Sequence, residues 1–161
     1  MSSNTILAHV RATSLSPVVQ TNCHPFCFGR HAFAHNGSVA LFDNVRRPLS
    51  DLIAQEYFAA MKGTTDSEHL AALYMTNLGE GAEEKEFTVQ EMRDAMVNTI
   101  RTLQVTQKKV LSKDQLEKAA NSLNLVASEC RYLHLCPRMC SPMGNSRRRK
   151  ADCCSLAESS N

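Results

Sequence analysis

The sequence predicts an α+β domain, and three local patterns carry that prediction. Residues 5–10 form a short apolar run with β-branched members, which is typical of a buried strand. Asn36-Gly37 separates two further apolar runs and is typical of a hairpin, because a type I′ turn needs positive φ at both central residues. Apolar residues recur at helical spacing between residues 88 and 103, as expected for a helix that buries one face.

The other predicted strands and loops are short. We expect an irregular loop over residues 14–29, which are rich in Ser, Pro, Asn and Cys without a regular period. The hairpin then has strands at residues 30–35 and 38–42, and a last strand covers residues 123–127. Residues 130–161 show neither helical nor strand periodicity, so we expect them to be disordered.

Four helices are predicted between these strands. The third has the clearest start, because Thr88 and Glu91 form a Thr-x-x-Glu capping box. Proline is tolerated in the first turn of a helix and glycine often follows the last turn. Pro48 and Gly63 therefore bound the first predicted helix, and Gly79 ends the second. The helices run from Pro48 to before Gly63, from Asp66 to Gly79, from residue 88 to 103, and from residue 113 to 120.

Composition excludes several classes of protein. At 161 residues, with 43% hydrophobic and 21% charged residues, the chain fits one globular domain. No apolar run approaches the ~20 residues that span a bilayer, and the N-terminus lacks the basic and apolar regions of a secretory signal. We therefore expect a cytoplasmic protein with no membrane contact, whose seven cysteines are free thiols.

Charge divides the chain into two parts. Residues 130–161 carry a net charge of +4 and residues 1–129 a net charge of −2. We expect a domain over residues 1–129 and a disordered or non-homologous basic, cysteine-rich tail over residues 130–161. The tail could form a zinc or nucleic-acid module, but its cysteine spacings lack the paired Cys-x2-Cys of a structural zinc site and its basic run lacks interleaved aromatics. The residues concerned are Cys130, Cys136, Cys140, Cys153, Cys154 and Arg147 to Lys150. We expect no metal, cofactor or nucleic-acid partner.

Polar residues at strand ends are the candidates for a site. Arg11 ends the first apolar run; it is either a surface residue or a clamp for a carboxylate, which guanidinium binds through two parallel hydrogen bonds. Asn36-Gly37 is either a plain turn or a pair of donors for an oxyanion. Asp66 starts a helix and is able to hold a cationic amine as well. For His24 and His35 we favour packing over a role as base or metal ligand, because their neighbours are apolar.

These motifs, in this order, resemble class II glutamine amidotransferases. The sequences concerned are Ala-His-Val-Arg-Ala from Ala8, Asn-Cys-His-Pro-Phe from Asn22, Phe-Ala-His-Asn-Gly-Ser-Val from Phe33 and Thr-Asp-Ser-Glu from Thr65. The chain is most similar to the fungal Dug-type branch of glutathione degradation, over roughly residues 6–126. The resemblance implies an N-terminal nucleophile (Ntn) hydrolase, with a four-layer αββα sandwich of two antiparallel sheets, of which this chain supplies part.

The resemblance also implies a role for each site residue. Arg11 binds the α-carboxylate of glutamine or of a γ-glutamyl group, and Asp66 binds its α-ammonium. Asn36 and Gly37 form the oxyanion hole. Ser14 contacts the substrate, although Leu15 stands where the family has glycine. No role is assigned to His35, which matches the pattern.

The family nucleophile is an N-terminal cysteine whose own α-amine acts as base. Only seven residues precede Ala8, and neither Cys23 nor Cys27 has a free α-amine. We therefore expect a chain truncated at both ends, whose intact form hydrolyses glutamine or a γ-glutamyl amide. The alternative is an inactive pseudoenzyme that binds a γ-glutamyl ligand or a partner. A Dug-type relative is expected to work with a peptidase-like subunit.

Overall fold

In the described part of the chain, an antiparallel sheet packs one face against helices. A computed structural model describes residues 7–10 and 19–129 in full, and only the backbone of residues 133–136, 141–142 and 155–157. The helices are α1 (Phe42–Ser50), α2 (Gln55–Ala60), α3 (Asp66–Leu78), α4 (Val89–Val110) and α5 (Lys113–Lys118). The strands are β1 (Phe26–Phe28), β2 (His31–Ser38), β3 (Ala120–Ser128), β4 (Leu133–Cys136), β5 (Ser141–Pro142) and β6 (Ser155–Ala157). The predicted α+β class is confirmed.

The sheet places the core beneath β2 and β3. Its strand order is β1-β2-β3-β4-β6, with every neighbouring pair antiparallel and β5 paired with the start of β3. Every second residue of β3 is buried and the residues between are half-buried, so one face of the strand packs on the helices. Fully buried side chains on this side include Leu70, Met92, Met96, Leu103 and Leu125. No helix in the described part of the chain is long and apolar enough to cross a membrane.

The capped helices and the last strand of the domain confirm the sequence predictions. α3 begins after Thr65, whose side chain accepts from the Glu68 backbone, and ends at Gly79. α4 begins with the predicted capping box between Thr88 and Glu91 and continues to Val110, beyond the predicted end at residue 103. α5 lies within the predicted short helix, and β3 contains the predicted strand. Local capping chemistry therefore decided these boundaries.

The predicted hairpin at Asn36-Gly37 is wrong. β2 continues through both residues, and its residues 32–38 pair without interruption with residues 122–128 of β3. The predicted strand at residues 38–42 is instead the end of β2, a turn and the start of α1. Pairing with a distant strand therefore overrode a strong local turn preference.

The single helix predicted from Pro48 is also wrong. Two helices, α1 and α2, replace it, and Pro48 lies inside α1 rather than in its first turn. Proline has no N–H for the carbonyl four residues earlier and its ring crowds that carbonyl, and α1 ends two residues later. Leu52 lies in the break between the two helices and is 50% exposed.

The ends of the chain differ from prediction where they are described. Residues 7–10 are not in a strand, and the rest of the predicted strand at residues 5–10 lies outside the described residues. The predicted loop at residues 14–29 contains one 3-10 turn (Gln20–Asn22) and β1. In the predicted tail, β4, β5 and β6 extend the sheet, and disorder of the tail as a whole stays a prediction. The division of the chain at residue 129 stays a prediction.

A buried pair of side-chain amides fixes the turn between β2 and α1. Asn121 Nδ2 donates to Gln107 Oε1 at 2.8 Å, and Asn121 Oδ1 accepts from Gln107 Nε2 at 3.0 Å and from the Ala40 N–H at 2.8 Å. Gln107 Nε2 also donates to the Ala40 carbonyl at 3.0 Å. Both side chains are at most 6% exposed. The pair therefore joins α4, β3 and the segment that follows the candidate site.

Replacing Asn121 with alanine is expected to lower the free energy of unfolding by about 2 kcal/mol, because it leaves a buried donor and a buried acceptor without partners. Urea unfolding measures this. Asn98→Ala, which removes an exposed amide from α4, serves as the control and is expected to change stability by less than about 0.5 kcal/mol. A loss for Asn121→Ala no larger than that of the control contradicts the role of the amide pair.

Candidate active site

The predicted oxyanion pair lies at the C-terminal end of β2, where one edge of the strand is open. The Asn36 and Gly37 residues are both exposed. β1 pairs with β2 only as far as Phe33, so among the described strands the last part of β2 has a neighbour on the β3 side alone. Because an antiparallel strand directs its N–H groups alternately to its two edges, backbone donors face the open edge beside Asn36.

Gly37 marks a point where β2 comes too close to β3 for a side chain. Its φ is +146°, a conformation that favours glycine. A Cβ atom at this position would overlap the carbonyl oxygen of Ser122 on β3. Position 37, where we predicted a turn, therefore requires glycine because two strands approach each other closely there.

His35 is buried beneath this pair and joins β2 to β3 and α3. Its Nε2–H donates to the Ser122 carbonyl at 3.1 Å, and its Nδ1 lies 2.9 Å from the Ser67 hydroxyl. Burial lowers the pKa of His35 below the usual 6.5, and the hydrogen bond to Ser122 only partly opposes this shift. In the neutral ring Nδ1 is therefore an acceptor for the Ser67 hydroxyl, which also lies 3.3 Å from Asp66 Oδ1. The predicted packing role of His35 is confirmed.

Asp66 occupies the first turn of α3 and is bound to the end of β2. Its Oδ2 accepts from the Val39 N–H at 2.8 Å, and its Oδ1 accepts from the Ser67 N–H at 2.8 Å. The Ser67 hydroxyl also lies 3.3 Å from Oδ1. A carboxylate has about four acceptor positions, so these three contacts leave room for an ammonium group. The N-terminus of a helix also favours the negative charge.

The last residue of the Thr-Asp-Ser-Glu motif holds the preceding loop. Glu68 is 4% exposed, and its two carboxylate oxygens accept from the Lys62 and Gly63 N–H groups, each at 2.7 Å. Charge-assisted bonds of this length are strong. The motif thus directs Asp66 toward β2 and uses Glu68 to anchor residues 62–63, a contact that the sequence did not predict.

The segment before Arg11 is placed by a stack of aromatic rings. The rings of His9 and His24 lie 4.2 Å apart, and the His24 ring makes an edge contact with Phe26 at 4.7 Å.

No group of three His, Cys, Asp or Glu side chains within the described ranges is placed to hold a metal ion. Arg11 and Ser14 lie outside the described residues. Cys23 and Cys27 are exposed free thiols.

A surface pocket of about 300 Å³ lies away from the residues of the candidate site. Its lining comes from the start of α2 and the end of α3, namely Ala54, Gln55, Glu56, Thr76, Gly79 and Glu80. Asp66 is at the opposite end of α3, roughly 20 Å away for a helix of this length. The pocket therefore does not belong to the predicted site.

The structure brings together the parts of the predicted site that it describes. Asn36-Gly37 and Asp66 are joined through the His35–Ser67 contact and through the Val39 N–H. Sequence reasoning missed Ser67, Ser122 and Asn124 as neighbours of the pair. The sequence offered a signal only for Asn124, a polar residue between two leucines. Such a residue must lie on the face of β3 that does not enter the core.

Comparison with known proteins identifies the family to which these motifs belong. A family model described as "Glutamine amidotransferases class-II" matches residues 1–116. The chain belongs to the class II glutamine amidotransferase family. The match includes all five residues predicted to act on substrate, Arg11, Ser14, Asn36, Gly37 and Asp66.

Two relatives show how much of a class II protein this chain represents. It is 33% identical over 132 residues to the probable glutamine amidotransferase DUG3 of Saccharomyces cerevisiae, an alignment that covers 79% of this chain and 37% of the yeast protein. A solved structure of a glutamine aminotransferase class-II domain protein from Silicibacter pomeroyi is similar with a TM-score of 0.57 and 27% identity, covering 72% of this chain and 48% of the other. The chain thus spans less than half the length of each relative.

Proposed function

We propose that this chain carries the substrate-binding and oxyanion-stabilising residues of a class II glutamine amidotransferase site, with L-glutamine or a γ-glutamyl compound as ligand. The observation that carries the proposal is the connection between Asn36-Gly37 and Asp66. The end of β2 is hydrogen-bonded to the start of α3 through His35 and Ser67 and through the Val39 N–H. A donor pair and a carboxylate are therefore held together on rigid elements, as recognition of an amino acid requires.

Each residue then has a chemical task. The Asn36 side-chain amide and the Gly37 N–H bind the oxygen of the γ-carbonyl, on which negative charge develops during attack on the amide. Asp66 binds the α-ammonium group, Arg11 the α-carboxylate, and Ser14 contacts the substrate. Two opposite charges on the ligand, each met by its complement, select an α-amino acid over a simple amide.

The wider setting of this site is part of the same proposal. The described sheet and helices supply one sheet and one helical layer of a four-layer αββα sandwich of the Ntn-hydrolase type. Similarity to yeast DUG3 supports a role in glutathione catabolism. A cytoplasmic location and a peptidase-like partner subunit belong to the proposal through the resemblance to the Dug-type branch. Release of ammonia from glutamine would identify an amidohydrolase, and binding without release would identify a pseudoenzyme. The two described cysteines, Cys23 and Cys27, do not match the family nucleophile, because neither carries a free α-amine.

Replacing Asp66 with asparagine is expected to weaken L-glutamine binding about 10- to 100-fold, because a hydrogen bond to a charged group contributes about 1.5–3 kcal/mol. Isothermal titration calorimetry of the purified chain measures the affinity. Glutaramate, which is glutamine without its α-amino group, supplies the matched ligand. The wild-type protein is expected to prefer glutamine over glutaramate, and Asp66→Asn is expected to remove that preference.

Asp114→Asn is the control variant, since Asp114 also lies in the first turn of a helix, α5. It is expected to bind glutamine like the wild-type protein. A wild-type chain that binds neither glutamine nor glutathione contradicts the proposed function. A preference for glutamine that survives Asp66→Asn contradicts the role of Asp66 alone.

A further inference from the structure

We propose that Asn124 is a positioning residue that sets the direction of the Gly37 N–H, the backbone donor of the oxyanion pair. Asn124 lies on β3 directly opposite Asn36 in the strand register. Its side-chain Nδ2 donates to the backbone carbonyl of Asn36 at 2.9 Å. The catalytic meaning of this contact rests on the proposed function, whereas the contact itself does not.

The carbonyl that Asn124 holds belongs to the same peptide unit as the Gly37 N–H. A trans peptide is planar, so its C=O and N–H point in opposite directions. When Asn124 draws the Asn36 carbonyl toward itself, the Gly37 N–H is turned away from Asn124. This side-chain hydrogen bond therefore adds to the pairing of β2 with β3 in holding a backbone donor that the side chain does not touch.

This peptide needs such a restraint because of its sequence. A rotation of the Asn36–Gly37 peptide changes ψ of Asn36 and φ of Gly37, and glycine tolerates a wide range of φ. β1 does not reach this part of β2, so among the described strands only β3 is available to hold it. A peptide rotated by half a turn would present a carbonyl oxygen, which repels an oxyanion, in place of the N–H.

Neighbouring residues of β3 restrain residues 35–37 through other contacts. The Ser122 carbonyl accepts from the His35 ring and lies where a side chain at position 37 would be. These contacts fix the ring of His35 and the separation of the strands. Asn124 is only half-buried and points away from the core side, so its removal is expected to leave the fold intact.

The test uses Asn124→Ala and Asn124→Asp in the full chain, the second of which keeps the shape of the side chain but lacks the N–H donor. The protein has six glycines, so labelling with [15N]glycine gives a simple amide spectrum. In both variants the Gly37 resonance is expected to shift and broaden while the other glycine resonances stay in place. Asn98→Ala, an exposed amide on α4, is expected to move none of them.

Ligand binding separates positioning from a merely structural role. L-Norvaline keeps the α-amino and α-carboxyl groups of glutamine but lacks the carboxamide that meets the oxyanion pair. Both Asn124 variants are expected to lose about two- to tenfold in affinity for L-glutamine, the equivalent of one neutral hydrogen bond, with unchanged affinity for L-norvaline. Equal losses for both ligands overturn the positioning role.

The outcomes also keep this inference apart from the proposed function. If the wild-type chain binds no glutamine, the proposed function fails and the Gly37 resonance alone decides the inference. A Gly37 resonance that is unchanged in both Asn124 variants overturns the inference, whether or not glutamine binds. A shifted resonance together with a selective loss of glutamine affinity supports both.

Discussion

Replacing Gly37 with alanine is expected to lower the free energy of unfolding by roughly 3 kcal/mol or more. Two costs combine at this position. A φ of +146° is strained for any residue with a side chain, and the new Cβ atom would overlap the Ser122 carbonyl oxygen. The oxygen belongs to the backbone of a central strand, so the overlap is relieved only by separating β2 from β3, which weakens the hydrogen bonds on which the sheet depends.

Gly79→Ala is the matched control for this prediction. Gly79 also has a positive φ, +110°, but nothing lies within 4 Å of the position of its Cβ atom. It is therefore expected to cost about 1–2 kcal/mol for backbone strain alone. Urea unfolding of the two variants separates strain from overlap. Equal losses for Gly37→Ala and Gly79→Ala would show that the close approach of the strands contributes nothing.

The Asn36-Gly37 pair shows where sequence reasoning succeeded and where it failed. Its chemistry marked it as a candidate for the site, which stays a prediction, and its local preference predicted a turn that does not exist. The decisive partner of Gly37 is Ser122, which is remote in the sequence and has no polar pattern that announces the contact. A short-range rule for turns could not include a strand that arrives from the far end of the domain.

Elements with their own end signals were predicted well for the opposite reason. Thr65 and Thr88 cap α3 and α4 through bonds to residues three positions later, so the whole interaction is visible in the local sequence. The break after α1 was missed because a proline is compatible with either the first turn of a helix or a position near its end. Packing decided between them, with Val45 and Leu49 of α1 fully buried.

Contacts within the candidate site could be predicted only in part. The motifs supplied the residues, but the bonds that organise them join positions far apart, as in the His35 contact with Ser67 and the Asn124 contact with Asn36. Such contacts follow from the register of β2 against β3 and from the position of α3. Neither follows from hydrophobic periodicity, which specifies a face of an element but not its partner.

Lowering the pH from 7.5 to 5.5 is expected to destabilise the protein strongly, because three histidines bind protons less readily in the fold than in the unfolded chain. His31, His35 and His69 are each at most 4% exposed. Burial lowers the pKa of each ring below 6.5, although a hydrogen bond to a backbone carbonyl opposes the shift in every case. Nearby charges contribute less; they come from Arg30, Glu129, His9, Asp66, Glu68 and Arg46.

The sign of the effect follows from proton binding. As the pH falls through 6.5, the unfolded chain takes up more protons on these histidines than the folded chain does, so the free energy of unfolding decreases. Each histidine contributes up to about 1.4 kcal/mol per pH unit, and the three together up to about 4 kcal/mol per pH unit. The loss ends at the lowered pKa values, where the folded protein also binds protons.

Single variants that cannot titrate assign this loss to particular rings. In His31→Gln and His35→Gln an amide takes the place of the Nε2–H that donates to Ala82 or Ser122, and in His69→Asn it takes the place of the Nδ1–H that donates to Thr65. Urea unfolding at pH 5.5, 6.5 and 7.5 is expected to show about one-third of the slope removed in each variant. A wild-type stability that is constant from pH 7.5 to 5.5 would mean that these rings become charged without leaving the core. That result would contradict the assignment of a neutral His35 ring as an acceptor for the Ser67 hydroxyl.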